Sequence, residues 1–371
     1  MNPYLSPAEL SNALSLRDLS DPEQGPHAMQ MLLNDVLDSL TDSWGTPIDI
    51  VRQSPLVAVA DNYDRIGFDP YAVTRGSRYS RYVSPTVMLR THTSAAVPWL
   101  LKKISGRIDY DTLVAIPGLV YRRDSIDRTH VGAPHQVDLW RLASRTDLAE
   151  ADLDKMIGLI VEAVLPGAQW RAIPARHPYT SKGRQVDVMV GGEWLELAEC
   201  GLVAQHMFEA AGMGGNRWSG LALGMGLDRA LMLRKGIDDI RLLRSSDPRI
   251  SGQMIDLAPW RAVSIMPPIR RDISIVVSDE IDSEILGDSV RSALGDRAED
   301  LEAVDVLSVT PYEALPAGAR QRLSLRPDQS NVLVRITLRP LSATLTDPEA
   351  NQIRDLIYLA VHEGPVQELI S

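Results

Sequence analysis

GLVYRRDSIDRTHVGAPHQVDLW, residues Gly118 to Trp140, is the stretch on which the fold turns. An apolar, strand-like run, TLVAIPGLVYRR, leads in; a turn dense in Arg, Asp and His follows; a second segment returns. Residues two apart on a strand share a face, so Arg122 and Asp124 are expected side by side on the outgoing strand. Arg128 and His130 fall on the turn. An arginine fork grips a phosphate with two hydrogen bonds, and a carboxylate two residues on can accept from an adenine amino group. The same residues would also suit a solvated, salt-bridged hairpin.

Working outward, SGLALGMGLDRALMLRKG (Ser219 to Gly236) opens with small residues and turns helical, with Arg229 at the start of the helix. Glycines let a strand approach a flat ligand closely, and a helix start suits a phosphate. Tight strand–helix packing would call for the same glycines. Two polar clusters, LRTHTS (Leu89 to Ser94) and HPYTSKGRQVDV (His177 to Val188), adjoin apolar segments. WLELAE is a further strand-like run. Histidines in such places commonly serve as structural hydrogen-bonders.

The remaining chain frames these segments. AMQMLLNDVLDSLTDSW, Ala28 to Trp44, places Met29, Leu32, Leu33, Val36 and Leu40 on one helical face, stopped by Gly45, Thr46 and Pro47. IDIV and PLVAVA read as short strands, and Asn62 to Pro85 as a functional loop outside the core. Strands cluster with helices at the edges and no β-α alternation, which predicts an antiparallel α+β sheet over a doubly wound one. Pro259 to Pro268 reads as a linker, followed by a β-α-β-β-α unit: RDISIVV, a helix around Glu280 to Leu294, LEAVDVLSVTPY, VLVRITLRP, and a helix from Asp347 to Val361.

With 44% hydrophobic and 23% charged residues, the 371-residue chain has the balance of a soluble globular protein of two domains. A lone cysteine, Cys200, excludes an internal disulfide and points to a reducing compartment. The N-terminus shows no signal-peptide pattern and no run is long enough to span a bilayer, so the expected location is the cytoplasm, with no membrane partner. The formal charge of −11 disfavours broad contact with nucleic acid.

In order and content these motifs resemble the catalytic (alpha) subunit family of phenylalanyl-tRNA synthetase, along nearly the whole chain. LRTHTS matches its substrate-binding turn, VYRRDSIDRTH with HQVDL its class II motif 2, and HPYTSKGRQVDV with WLELAECG its pocket wall. SGLALGMGLDRALMLRKGIDDIR is similar to motif 3, and MPPIRRDISIVV through TLTDPEANQIRDLI to a ferredoxin-fold anticodon-binding domain.

The resemblance implies a leader over residues 1–26, a class II catalytic domain over 27–262 and the ferredoxin-like (FDX-ACB) domain over 267–371. It implies a ligase that uses ATP and Mg2+ to make an aminoacyl-adenylate and transfers it to tRNA. Arg122 would bind the α-phosphate, Asp124 the adenine edge, Arg128 and His130 the β- and γ-phosphates, Arg229 the γ-phosphate, and Glu196 the metal. His92, Ser94 and Gln136 match positions around the amino acid's own amino and carboxylate groups, and Asp138, in an Asp138-Leu139 pair where the family has an acidic residue followed by glycine, is a further candidate for binding the amino acid. A homodimer is the expected assembly.

Departures from the family bear on the substrate. Where the family has two phenylalanines around a proline, this chain has His177 and Tyr179, and Glu199 replaces the glycine before Cys200. Ala222 matches a small residue at the pocket base, and Pro134 stands where an aromatic residue would stack on adenine. These changes disfavour phenylalanine and point to a polar or cationic amino acid, because hydrogen-bonding groups buried without partners cost about 1–3 kcal/mol each. From Ile265 to Ser371 there are ten Arg and no Lys against eighteen Asp plus Glu, a net charge of −8. That balance argues against tRNA as the acceptor, and a carrier protein, small amine or protein side chain is the alternative. A non-catalytic regulatory paralog is a third reading.

Overall fold

The apolar spacing of AMQMLLNDVLDSLTDSW produces helix Ala28–Trp44, which buries Met29, Leu32, Leu33, Val36, Leu37 and Leu40. Its first turn is capped by His27, whose ring Nδ1 accepts from the Met29 amide at 3.1 Å, and its last by Gly45 in the left-handed region at φ 64°. It packs against helix Glu150–Val164. This computed structural model describes residues 4–77, 79–123, 125, 127–213, 217–263, 267–278, 282–341 and 343–365. By contacts the chain forms two units: residues 1–122, 133–237 and 252–260 make the first, and 123–132, 238–251 and 261–371 the second.

The first unit is built on a seven-stranded sheet. Its strands are β1 (Ile48–Ile50), β4 (Asp111–Leu119), β5 (His135–Ala143), β6 (Trp170–Pro174), β7 (Thr180–Val190), β8 (Glu193–Val203) and β9 (Ser219–Gly226); β2 (Leu56–Ala58) and β3 (Val87–Leu89) form a separate antiparallel pair. The sheet order is β1-β4-β5-β9-β8-β7-β6, antiparallel throughout except where β1 joins β4. This is the antiparallel α+β architecture expected from the strand clustering.

Three expectations need correction. Arg122 does not lie on the outgoing strand: β4 ends at Leu119, paired with His135. Val120 makes one further bond, its amide donating to the Pro134 carbonyl at 2.9 Å, and Pro134 has no N–H to return. The Tyr121 amide instead donates to Arg90, and the chain leaves the sheet. The segment from Asn62 is not all exterior loop, because Tyr63 and Ile66 are buried, and the Tyr63 hydroxyl donates to the Thr74 carbonyl at 2.9 Å. The stretch before the second unit is not wholly a free linker either. The buried Lys235 ammonium donates to the Asp256 and Ala258 carbonyls at 2.8 and 2.6 Å, and the Trp260 amide donates to the Lys235 carbonyl.

In the second unit β10 (Ile269–Val277), β11 (Leu301–Pro311) and β12 (Ser330–Leu338) form an antiparallel sheet in the order β10-β12-β11. Helix Ser283–Leu294 joins β10 to β11, which leaves a place between them that β12 fills. Helix Asp347–Val361 begins with a capping box between Thr346 and Glu349 and buries Ile353 and Ile357. The expected β-α-β-β-α order is present, with a short helix Ala317–Leu323 added between β11 and β12. Among the described residues no helix is long and apolar enough to cross a membrane.

Gly118 in β4 sits at φ 144°, and a Cβ there would lie within 2.3 Å of the Arg90 guanidinium. Arg90 is itself buried, its Nε donating to the Leu119 carbonyl at 2.8 Å. Gly118→Ala should therefore lower stability by about 2 kcal/mol or more through backbone strain and displacement of Arg90. Urea unfolding would show this as an earlier midpoint, and an unchanged midpoint would refute the tight packing.

Candidate functional site

The floor of the site is one face of β9. Gly220, Ala222, Gly224 and Gly226 alternate along the strand and so share that face, which carries nothing larger than a methyl group. Residues directly opposite on neighbouring strands share a face too. One row across the sheet is therefore Glu199, Gly224 and Asp138, and the next is Gly201, Ala222 and Trp140. Gln136 lies opposite Gly226 and Gly118. The row positions bring together Gln136, Asp138, Glu199 and Ala222 as the motifs implied.

Asp138 is fully buried and held by three donors: the Thr93 hydroxyl, the Ser94 hydroxyl at 2.9 Å and the Trp140 indole N–H at 3.4 Å. Burial raises its pKa, and those donors oppose the rise. The carboxylate thus fastens the turn Thr93–Ala96 to β5, a positioning role in addition to the substrate contact expected of it and of Ser94. Tyr179 continues the chain. Burial pushes its hydroxyl pKa up, Ser94 is its hydrogen-bond partner, and its ring stands 5.8 Å from that of Trp140.

On the opposite wall His177 Nε2 lies 3.2 Å from a Glu199 carboxylate oxygen, and Nδ1 lies 3.3 Å from the Thr180 hydroxyl. The His177 and Tyr179 rings are 6.1 Å apart. His177 and then the Arg122 charge hold the Glu199 carboxyl below its ordinary range against the effect of burial, so it is an anion at neutral pH. Its side chain is 47% exposed, which leaves part of the carboxylate open.

Glu196 lies three residues before Glu199, a spacing that on a regular strand would put the two on opposite faces. A register shift in the β7–β8 ladder intervenes: Val186 pairs with Ala198 but Asp187 pairs with Glu196. The extra residue returns Glu196 to the face of Glu199. Burial and then the Glu199 charge push the Glu196 pKa up, while Arg229 and Arg122 pull it down. Arg122, Arg229 and Glu196, far apart in sequence, thus share one electrostatic neighbourhood. Among the described residues no three His, Cys, Asp or Glu side chains cluster to hold a metal. Magnesium held by one carboxylate and phosphate oxygens needs no such cluster, and Glu196 suits that mode.

Asp124 lies outside the described residues. Arg128 and His130 belong to the second unit, where Arg128 donates to Asp238 at 2.6 Å and His130 Nδ1 is 2.7 Å from Asp127. That segment is further tied within its unit by Arg123 with Asp288 and by Arg291 donating to the Ser125 carbonyl. The motifs gave no role to His135 and Asp228. His135 is fully buried, its Nε2 accepting from the Leu19 amide at 2.9 Å and its Nδ1 3.0 Å from Asp228. Asp228 precedes Arg229, so this bond fixes the helix start that presents Arg229. The only signal in sequence was their adjacency to motif residues.

His92 stacks on Phe68 at 5.6 Å, and both its ring nitrogens are buried without a hydrogen-bond partner among the described residues. Burial pushes its pKa down to about 4; Arg122 and Arg90 add to this, and the nearby Asn62 backbone opposes it. An unfolded histidine titrates near 6.5, so between pH 6.5 and about 4 the unfolded chain holds a proton that the native chain lacks. Native stability must fall as pH drops through that window, by roughly 3 kcal/mol for this group. His92→Gln should flatten the acid limb of a urea-unfolding series against pH; identical slopes would show that His92 is not held neutral.

Residues 45–254 match the family model for tRNA synthetases class II core domain (F). The chain is 27% identical over 349 residues to a chloroplastic/mitochondrial phenylalanine–tRNA ligase of Arabidopsis thaliana, covering 89% of this chain and 75% of that one. It is 36% identical over 172 residues to the phenylalanine–tRNA ligase alpha subunit of Prochlorococcus marinus (strain MIT 9313), covering 46% of this chain and 50% of the subunit. The match thus spans about half the length of that bacterial relative. A pyrrolysyl-tRNA synthetase from Desulfitobacterium hafniense aligns with a TM-score of 0.48 at 18% identity, over 60% of this chain and 74% of that one. The chain belongs to the class II tRNA synthetase core family, whose members are ATP-dependent ligases.

Proposed function

We propose that this chain activates an amino acid other than phenylalanine as its adenylate. A substrate carboxylate oxygen attacks the α-phosphorus of ATP, the bond from that phosphorus to the bridging oxygen breaks, and pyrophosphate leaves. The observation that carries this reading is the common neighbourhood of Arg122, Arg229 and Glu196 beside a glycine-floored face. Two guanidinium groups offset developing negative charge on the phosphates, and Glu196 would hold a magnesium ion that supplies further charge neutralisation. Catalysis is then positional and electrostatic, and no side-chain nucleophile is needed. Gln136 and Ser94, with the orphaned nitrogens of His92, supply polar groups for the amino acid's common atoms. His177 and Tyr179 put polar groups along the wall, which suits an aromatic hydrocarbon poorly.

For the acceptor there are two readings. The split β-α-β order of the second unit supports a ferredoxin-like module and, with it, tRNA. Charge supports a different acceptor, such as a carrier protein, an amine or a protein side chain. In this unit Arg271 pairs with Asp347, Arg335 with Asp272, Arg339 with Glu302, Arg326 with Asp328, and Arg354 with Asp355. Arginines neutralised in this way offer little to a phosphate backbone.

Amino-acid-dependent exchange of pyrophosphate into ATP tests the activation step. Arg122→Ala and Arg229→Ala should each reduce it by roughly a hundredfold or more with the melting temperature unchanged. Wild-type rates in either variant would overturn the assignment of the phosphate clamps. Titration with tRNA at rising salt separates the acceptors: saturable binding that weakens steeply with salt supports tRNA, and its absence supports the alternative.

A further inference from the structure

The row Glu199–Gly224–Asp138 forms a slot whose chemistry the adenylation reading leaves open. Two strand spacings separate the outer residues, about 10 Å, and Gly224 places no side chain between them. The two carboxylates differ in kind. Asp138 is buried and occupied by Thr93, Ser94 and Trp140. Glu199 is braced by His177 on one side and otherwise half exposed, so it is the carboxylate that a ligand can reach.

The slot is also short. A Cβ on Gly201 would meet the Thr180 side chain at 2.7 Å, and one on Gly220 would meet Val203 at 2.8 Å and Leu142 at 3.0 Å. Side chains therefore already fill the space beyond Ala222. Gly224 to Ala222 is about 7 Å along the strand, and Ala222, almost fully buried, closes that end. Arg122 is the cation whose charge reaches Glu199, and the adenylation reading places it on the α-phosphate. With nucleotide bound, His177 is the pairing group left beside the Glu199 anion among the described residues.

We propose, resting on the adenylation reading, that Glu199 braced by His177 selects a diamino acid whose side-chain amine ends in the slot between Gly224 and Ala222. The ammonium donates to the open Glu199 oxygen in a charge-assisted hydrogen bond. A neutral side chain of equal size covers the open oxygen of that carboxylate without pairing it, and a phenyl ring does so while also meeting the polar rim of His177 and Tyr179.

The test is ATP–pyrophosphate exchange by the full chain with 2,4-diaminobutyrate, ornithine and lysine against homoserine, norvaline and phenylalanine. The diamino acids should exceed their neutral counterparts by roughly tenfold or more in kcat/KM, mainly through KM. Glu199→Gln should erase that preference, and His177→Gln should narrow it, with melting curves confirming the fold. A neutral amino acid that serves the wild type equally well overturns the proposal whether or not either variant folds. An unchanged preference in folded Glu199→Gln overturns it too. Exchange with no amino acid, under conditions where ATP binds, removes the adenylation reading and the proposal with it; exchange confined to neutral amino acids removes only the proposal.

Discussion

The two acids and the glycine floor of the site are placed by the register of three strands, β5, β9 and β8. Asp138 opposes Gly224 and Gly224 opposes Glu199, so the two acids face each other across a residue that has no side chain. A slip of one residue would turn Asp138 and Glu199 into the opposite layer and bring Leu223 and Met225, both buried behind the sheet, to the ligand side. Burial of that apolar layer is what forbids the slip. The hydrophobic core on one face of the sheet thus sets the chemistry on the other.

That register leaves acids and uncharged polar groups in places where water is scarce, and each is stabilised differently. Asp138 has three donors, which also lock the turn Thr93–Ala96 against the sheet. Glu199 has His177 and partial solvent. His92 has aromatic contact through Phe68 and, among the described residues, no hydrogen-bond partner for its ring nitrogens, and keeps its neutral form by losing its proton affinity. A native structure that tolerates a buried imidazole without a partner among the described residues gives up stability there, and local inconsistency of this kind concentrates where ligands bind.

Much of the architecture was legible because periodicity reports burial. Helix Ala28–Trp44 follows its apolar spacing and stops at Gly45, and helix Asp347–Val361 has the bounds expected of it. Other features depend on contacts between distant segments, to which local pattern is blind. The early end of β4 follows from the missing amide of Pro134 on the partner strand. Glu196 and Glu199 reach one face only through a register shift set by the pairing of β7 with β8. Lys235, sequentially a helix-end cation, is buried against the carbonyls of Asp256 and Ala258 and holds the following segment to the first unit. Candidate site residues could be named from type and order; their partners could not, since Tyr179 meeting Ser94, or His135 meeting Asp228, requires the folded sheet.

The same geometry explains why no local catalytic signature marks this chain. In the proposed reaction, displacement at phosphorus needs charge offset and alignment, and Arg229 and Glu196, the groups proposed to supply part of both, are held in place by contacts with the sheet. Arg229 is set by the His135–Asp228 bond at the end of β5, and Glu196 by the bulged ladder. Moving either by an ångström would require breaking a buried polar contact or shifting a strand register. On the same reading specificity is under a weaker constraint: replacing a side chain on the row would change what the slot accepts without disturbing the proposed clamps. A carboxylate at position 199 and an imidazole at 177 are compatible with the fold for that reason, because β8 still pairs with β9 through backbone groups whatever Glu199 carries. On the proposed reading, the phosphate chemistry belongs to the scaffold, and the choice of amino acid rests on a few side chains laid upon it.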